Sequence, residues 1–422
     1  MRVLIAVDKF KGSLTQRQAA DAIAAGVRRA HGDVEIDVCP LADGGEGTVE
    51  CVVAAAGGRL ETFEVCGPLP GTKVQASIGW LDDRNALVGG AGRTAVIELA
   101  TAAGLTLVPV DKRDPTRTTT FGVGELMLAA AERGATRIIL GIGGSATNDA
   151  GLGIAQAWGG VVRMTTGKVY GRGDRKLTGG DLGRVLSVGV GGPRMAGASS
   201  SSAKALPGPA VENAHAPLLD PRGIAFVVAC DVGNPLHGPD GAAHVFAPQK
   251  GATPEQVEQL DADLRRFADR IGRADLAARP AAGAAGGVGF GMMAFFGATV
   301  QSGADLLAEL THLDARVATA DLVITGEGRL DAQTLHGKGP LGVIRAAKRH
   351  NKPCVALAGQ IGDGAEALAD EGATAIFSLM TGVMTLAEAS EHASELLARV
   401  SEQVARLWTT ALVPSPATAG EG

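Results

Sequence analysis

Both ends of the chain alternate short β-branched runs with helical patterns, and this limits the fold more than any other feature. Val3-Leu4-Ile5-Ala6-Val7 reads as a buried strand, followed by a helix over about 16–30. Thr15 with Gln18 three residues on makes a capping-box pattern at its start, and Ile23 and Val27 fall on one face. Residues 34–38 read as a second strand and 48–56 as a second helix. The same texture returns late in the chain, with strands at 321–325, 354–358 and 375–379 and helices at 341–349 and 365–370. Such alternation builds a parallel sheet covered by helices.

The middle differs. Residues 72–112 are strand-rich, with alternation over 74–78, then 122–134 read as a helix and 137–140 as a strand. The expected fold class is therefore α/β in two domains: 1–65 plus 290–400 sharing one parallel sheet, and 66–289 inserted as a second α/β domain. A Ser/Ala/Pro-rich stretch at 191–216 has no apolar periodicity and reads as a flexible surface excursion; the tail at 414–422 reads the same way.

Composition narrows function. A chain of 422 residues, 45% hydrophobic and 20% charged, is long and apolar enough for a self-supporting core, which excludes a wholly disordered or fibrous protein. With 61 glycines and 3% aromatics, that core is expected to be aliphatic, with glycine in the turns. A net charge of -6 without a polybasic run argues against nucleic acid as a partner. The five cysteines are scattered with no CxxC pair, which suits reduced thiols in a cytoplasm. The Val3–Val7 apolar run stops at Asp8, short of the roughly 7–15 residues of a signal peptide and the roughly 20 of a membrane span. A cytoplasmic protein with no membrane partner is the expectation, and a homo-oligomer is compatible with it.

The segment carrying most chemistry is Gly141-Ile142-Gly143-Gly144-Ser145-Ala146-Thr147-Asn148-Asp149-Ala150-Gly151, directly after the 137–140 strand. Glycines let backbone N–H groups approach an anion, while Ser145, Thr147, Asn148 and Asp149 add hydroxyl, amide and carboxylate groups. Gly141, Gly143 and Ala146 also fit a relaxed dinucleotide fingerprint, but no acid follows about twenty residues on. Asp43-Gly44-Gly45-Glu46-Gly47-Thr48 places two carboxylates among glycines at a strand-to-helix transition, a donor set suited to Mg2+. Asp231 ends a strand ahead of Val232-Gly233-Asn234-Pro235, where open α/β sheets place ligands. Gly326, Glu327, Arg329 and Asp331 follow another strand, with Lys338 a few residues on, although no Walker A motif is present. Asp8, Lys11 and Ser13 form a small candidate anion site ahead of the first helix.

In this order the strings Ile5-Ala6-Val7-Asp8-Lys9-Phe10-Lys11-Gly12-Ser13-Leu14, Pro40-Leu41-Ala42-Asp43-Gly44-Gly45-Glu46-Gly47-Thr48 and 141–149 resemble the bacterial type I glycerate kinase family. So do Val228-Ala229-Cys230-Asp231-Val232-Gly233-Asn234-Pro235-Leu236, Pro248-Gln249-Lys250-Gly251-Ala252, Gly283-Ala284-Ala285-Gly286-Gly287 and Ile324-Thr325-Gly326-Glu327-Gly328. Lys9 stands where many members carry Ser, and 191–216 looks like added length. The resemblance covers nearly the whole chain. It implies a flavodoxin-like domain built from both ends, a central insertion, and ATP- and Mg2+-dependent phosphorylation of D-glycerate, mostly to 2-phosphoglycerate. Asp149, Asp231, Lys11 and Asn234 are then the candidate catalytic residues. Asp8, Ser13, Gly143, Gly144, Ser145, Thr147, Asn148, Gly326, Arg329 and Lys338 are candidates for binding substrate or nucleotide, and Asp43, Glu46, Glu327 and Asp331 for the metal. An NAD-dependent oxidoreductase and a non-catalytic nucleotide-binding regulator are the alternatives.

Overall fold

The computed structural model describes residues 1–10, 12–41, 47–81, 92–190, 216–336 and 339–412. Lys11, Asp43, Glu46 and Lys338 lie outside them, as do the 414–422 tail and all but Ala216 of the 191–216 stretch. In chain order the first strands are β1 (Arg2–Val7), β2 (Glu35–Val38), β3 (Arg59–Cys66), β4 (Lys73–Leu81), β5 (Arg93–Glu98) and β6 (Ala135–Gly141). Then come β7 (Gly160–Met164), β8 (Val169–Tyr170), β9 (Val185–Val190), β10 (Ala225–Ala229) and β11 (Thr299–Gln301), and finally β12 (Leu322–Leu330), β13 (Cys354–Ile361) and β14 (Ala375–Ser378). The chain divides into two compact units, one of residues 1–43 with 304–422 and one of residues 44–303.

The first unit holds a five-stranded parallel sheet in the order β14-β13-β12-β1-β2. Counted within the unit this is the flavodoxin-like order 2-1-3-4-5. Strand β1 is apolar from Val3 to Val7 because both of its faces are covered there. Val3, Ile5 and Val7 pack with helices Gln16–Ala30 and Ala393–Leu412, while Leu4 and Ala6 pack with Leu313–Thr319 and Gly339–Arg349 on the other side. Thr15 and Gln18 close the capping box that starts helix Gln16–Ala30, and Ile23 and Val27 are buried on it.

The second unit holds a six-stranded sheet in the order β11-β10-β6-β5-β4-β3, parallel except where β4 runs against β3 and β5. A small antiparallel sheet, β8-β7-β9, accompanies it. The core is mostly aliphatic, as the composition suggests, but the scarce aromatics concentrate here: Trp158 meets Phe226 and Phe296 edge-on at 5.6 and 5.3 Å.

The division falls at 43/44 and 303/304 rather than near 65 and 290. Strand β3 pairs with β4, and helix Ala284–Phe296 and β11 pack against β10, so all three belong to the inserted unit. A terminal helix outside the sequence-based expectations, Ala393–Leu412, runs past the expected domain end near 400, and the helix expected at 365–370 is a single 3-10 turn, Ala365–Leu368. Among the described residues no helix is long and apolar enough to cross a membrane.

Candidate active site

The carboxyl ends of four parallel strands line one edge of the six-stranded sheet. Glu98 pairs with Gly141, Gly141 with Ala229, and Ala229 with Gln301, so the loops that follow leave side by side. That edge is where open α/β sheets take ligands. The loop after β6 is built tightly: Leu105 N donates to Gly144 O at 2.9 Å and Ala146 N to Ala103 O at 2.8 Å. Gly143 and Gly144 are exposed at its tip, whereas Thr147 and Asn148 are fully buried. Among the described residues neither the Asn148 side-chain oxygen and nitrogen nor Thr147 Oγ1 has a hydrogen-bond partner. An unpaired buried amide costs about 1–3 kcal/mol, so this one is retained for something other than stability.

A second loop packs on the first. Within helix Ala284–Phe296 the residues Ala285, Gly286 and Gly287 take left-handed backbone angles, with φ of 53, 69 and 89°. Ala150 and Ala281 are left-handed too, at 50 and 66°. For alanine that conformation costs about 1–2 kcal/mol per residue, and such strain persists only where the surroundings impose it. The loop joins its neighbours on both sides: Ala150 N donates to Gly286 O at 3.0 Å, and Gly283 N to Asn234 O at 2.9 Å.

Either Asp231 or Asp149 is expected from the sequence to lie beside a reacting hydroxyl, and the surroundings of Asp149 are those of a structural anchor. Its carboxylate is fully buried and takes hydrogen bonds from Thr120 N and Oγ1, both at 2.8 Å, from Gly151 N at 3.1 Å and from Gly153 N at 3.2 Å. It ties together the amino ends of helices Phe121–Glu132 and Leu152–Trp158. Burial pushes its carboxyl up from the ordinary value while the four donors pull it back. Close by lies a lysine that site reasoning passed over. Lys250 is buried, and its Nζ donates to Ser145 Oγ at 2.8 Å and to Thr147 O at 2.7 Å. Burial pushes its amine down to about 7, against the opposing pull of the Asp149 charge.

Asp231, by contrast, is exposed, and its Oδ1 accepts from Ser302 Oγ at 2.7 Å and Gly303 N at 3.0 Å. Asn234 turns its amide nitrogen to Asp240 O at 2.9 Å and so shapes its own loop. Glu98, which sequence reasoning also missed, is buried and accepts from Gly47 N at 3.3 Å and Val49 N at 2.7 Å. It therefore anchors the start of helix Thr48–Ala56, directly after the segment carrying Asp43 and Glu46.

In the first unit, β1 and β12 lie at the switch point of the strand order, with Val7 paired to Gly326. Asp8 follows β1 and accepts from its neighbour's Lys9 N at 2.7 Å, while Ser13 Oγ donates to Phe10 O at 3.1 Å. A Cβ at Gly326 would strike the Leu357 carbonyl, so this glycine serves strand packing rather than ligand binding. Glu327 is buried and accepts from Thr334 Oγ1 at 3.1 Å, and Thr325 Oγ1, two residues before it, is fully buried with no partner among the described residues. Arg329 and Asp331 pair with each other at 2.8 Å, and the other Asp331 oxygen takes Gln333 N at 2.8 Å. Both Asp331 oxygens are thus engaged locally, which makes it a poorer metal ligand than the sequence suggests. Among the described residues no group of three or more His, Cys, Asp and Glu side chains could hold a metal ion.

The sequence profile of the glycerate kinase family matches residues 3–409. The chain belongs to the glycerate kinase family. A glycerate kinase of Bacillus subtilis is 42% identical over 96% of this chain and 97% of its own length. A glycerate 2-kinase of Escherichia coli is 41% identical over 96% and 97%. The crystal structure of a glycerate kinase 2 candidate from Salmonella typhimurium LT2 matches with a TM-score of 0.78 at 40% identity, covering 97% of this chain and 99% of that one. As a member of the glycerate kinase family the protein is a kinase, and the oxidoreductase and regulator readings are set aside.

Proposed function

We propose that the enzyme transfers the γ-phosphoryl group of ATP to a hydroxyl of D-glycerate and forms 2-phosphoglycerate. The observation that carries this reading is the buried, unpartnered Asn148 amide at the end of a glycine-rich anion loop, in a chain of the glycerate kinase family. An amide offers one acceptor and two donors, which suits a hydroxy acid: the oxygen accepts a hydroxyl proton and the nitrogen donates to a second oxygen. Phosphoryl transfer needs little covalent help, and catalysis lies in holding the acceptor in line and countering phosphate charge. In this reading Asn148 and Thr147 hold the acceptor, the exposed 143–144 amides seat an anionic oxygen, and Asp231 orients the attacking hydroxyl from the neighbouring loop. Asp149 and Lys250 keep the loop in shape from below.

Mg2+, where bound, would supply positive charge against that developing on the phosphate oxygens. Glu327 would suit it as a hard oxygen donor near the Thr325 hydroxyl, while Asp43 and Glu46 stay candidates from the sequence alone. Asp8, Lys11, Ser13 and Lys338 remain candidates for the phosphate side. The proposed setting is the cytoplasm.

The test is to incubate the protein with ATP, Mg2+ and D-glycerate and identify the product by phosphorus NMR. A phosphomonoester at the 2-hydroxyl, equimolar with ADP, is the expected result. A 3-phosphate would overturn the regiochemistry alone; a folded protein giving no phosphoglycerate would overturn the substrate.

A further inference from the structure

We infer that Lys250 is a positioning residue: from beneath the 143–148 loop it fixes Ser145 as a hydrogen-bond donor toward an anionic substrate oxygen, of the carboxylate or phosphate class. The inference rests on the proposed substrates and adds a residue that they do not require.

Hydrogen-bond polarity carries the argument. A protonated lysine has only N–H groups to give, so at 2.8 Å from the Lys250 ammonium the Ser145 oxygen is the acceptor. The Ser145 proton must then point away from the lysine. The serine backbone is pinned as well, through the bridge between Gly104 and Ser145 and the flanking bonds Leu105 N to Gly144 O and Ala146 N to Ala103 O. With backbone and oxygen both held, the hydroxyl becomes an oriented donor. Ser145 is 8% exposed, next to the exposed Gly143 and Gly144, so the proton has an approach from outside.

The lysine itself stands on a rigid base. It ends the single turn Pro248–Lys250, and Gly251 follows at a φ of 91°. A Cβ there would strike the Arg113 carbonyl, so the chain reverses tightly into helix Pro254–Arg270, which a Thr253–Gln256 capping box starts. The second Lys250 bond, 2.7 Å to Thr147 O, secures the residue just before Asn148. The protonated amine covers both bonds with N–H groups to spare, whereas a neutral amine would carry a lone pair able to take the Ser145 proton, so the orientation belongs to the charged form. An apolar side chain would fill the same space without the cost of burying an amine, and what it would lack is the control of the Ser145 hydroxyl.

The experiment measures kcat and KM for both substrates in the wild type, Lys250→Met, Ser145→Ala and the double variant. Lys250→Met and Ser145→Ala are each expected to raise one KM by about 10–100-fold, the scale of a hydrogen bond to a charged group. The affected KM is that of D-glycerate if the oxygen is a carboxylate, and that of ATP if it is a phosphate. Because both changes remove one interaction, the double variant should be no worse than the poorer single one. Ser145→Ala keeps the lysine and the packing, so it decides the matter if Lys250→Met does not fold. Both KM values staying within about twofold in folded variants, or losses that add, would overturn the inference. A wild-type enzyme inactive on D-glycerate would instead overturn the substrate reading, and this assignment with it.

Discussion

Asp149→Asn is expected to lower stability by about 3 kcal/mol and to remove most of the turnover. The carboxylate takes four hydrogen bonds with no exposed surface, two from Thr120 and one each from Gly151 and Gly153. An asparagine of the same shape must turn an NH2 group toward some of those donors, leaving buried N–H groups unsatisfied at about 1–3 kcal/mol each. The charge lost is also the one that pulls the Lys250 amine up, so that amine falls further below about 7. Urea unfolding followed by tryptophan fluorescence reads the loss, because Trp158 closes the helix that Asp149 starts. A variant as stable as the wild type would mean that the buried carboxylate is held by something else.

Gly286→Ala is expected to be at least as damaging. Its φ of 69° is one that alanine reaches at about 1–2 kcal/mol, and its new Cβ would run into the Thr147 carbonyl and the Asn148 Cα. Overpacking of this kind costs typically about 1–3 kcal/mol more, and the atoms displaced are those that present Asn148. Little soluble protein, or a folded protein without turnover, is the expected outcome. Gly342→Ala is the control: it sits exposed in helix Gly339–Arg349 with nothing within 4 Å of the new Cβ, so it should stabilise by up to about 1 kcal/mol. Equal behaviour of the two variants would refute the packing of the two loops.

Beyond the fold class and the sheet shared by both chain ends, what the sequence made legible was local. The apolar β1 run, the Thr15–Gln18 box and the Ile23–Val27 face each depend on neighbours a few residues away, and each stands in the structure as read. The unit boundaries did not, because the partner of β3 and the packing of helix Ala284–Phe296 are set by long-range contacts. Charged residues were misjudged for the same reason. A carboxylate in a glycine-rich stretch reads as a ligand-facing group, and only the fold shows that Asp149 is enclosed, with Lys250 buried near it. Two signals were nevertheless present. Glu98 ends the Thr94-Ala95-Val96-Ile97 strand just as Asp231 follows its own, and Arg329 and Asp331 lie two apart on a strand and its end, where side chains share a face.

Asn148→Ala separates function from stability most directly. Removing a buried amide with no partner among the described residues should leave the melting temperature unchanged or raised, while kcat/KM for D-glycerate falls by about 100-fold or more. Steady-state turnover measured beside a thermal melt would show both at once. A variant that keeps normal turnover but melts earlier would contradict the placement of the substrate at this amide.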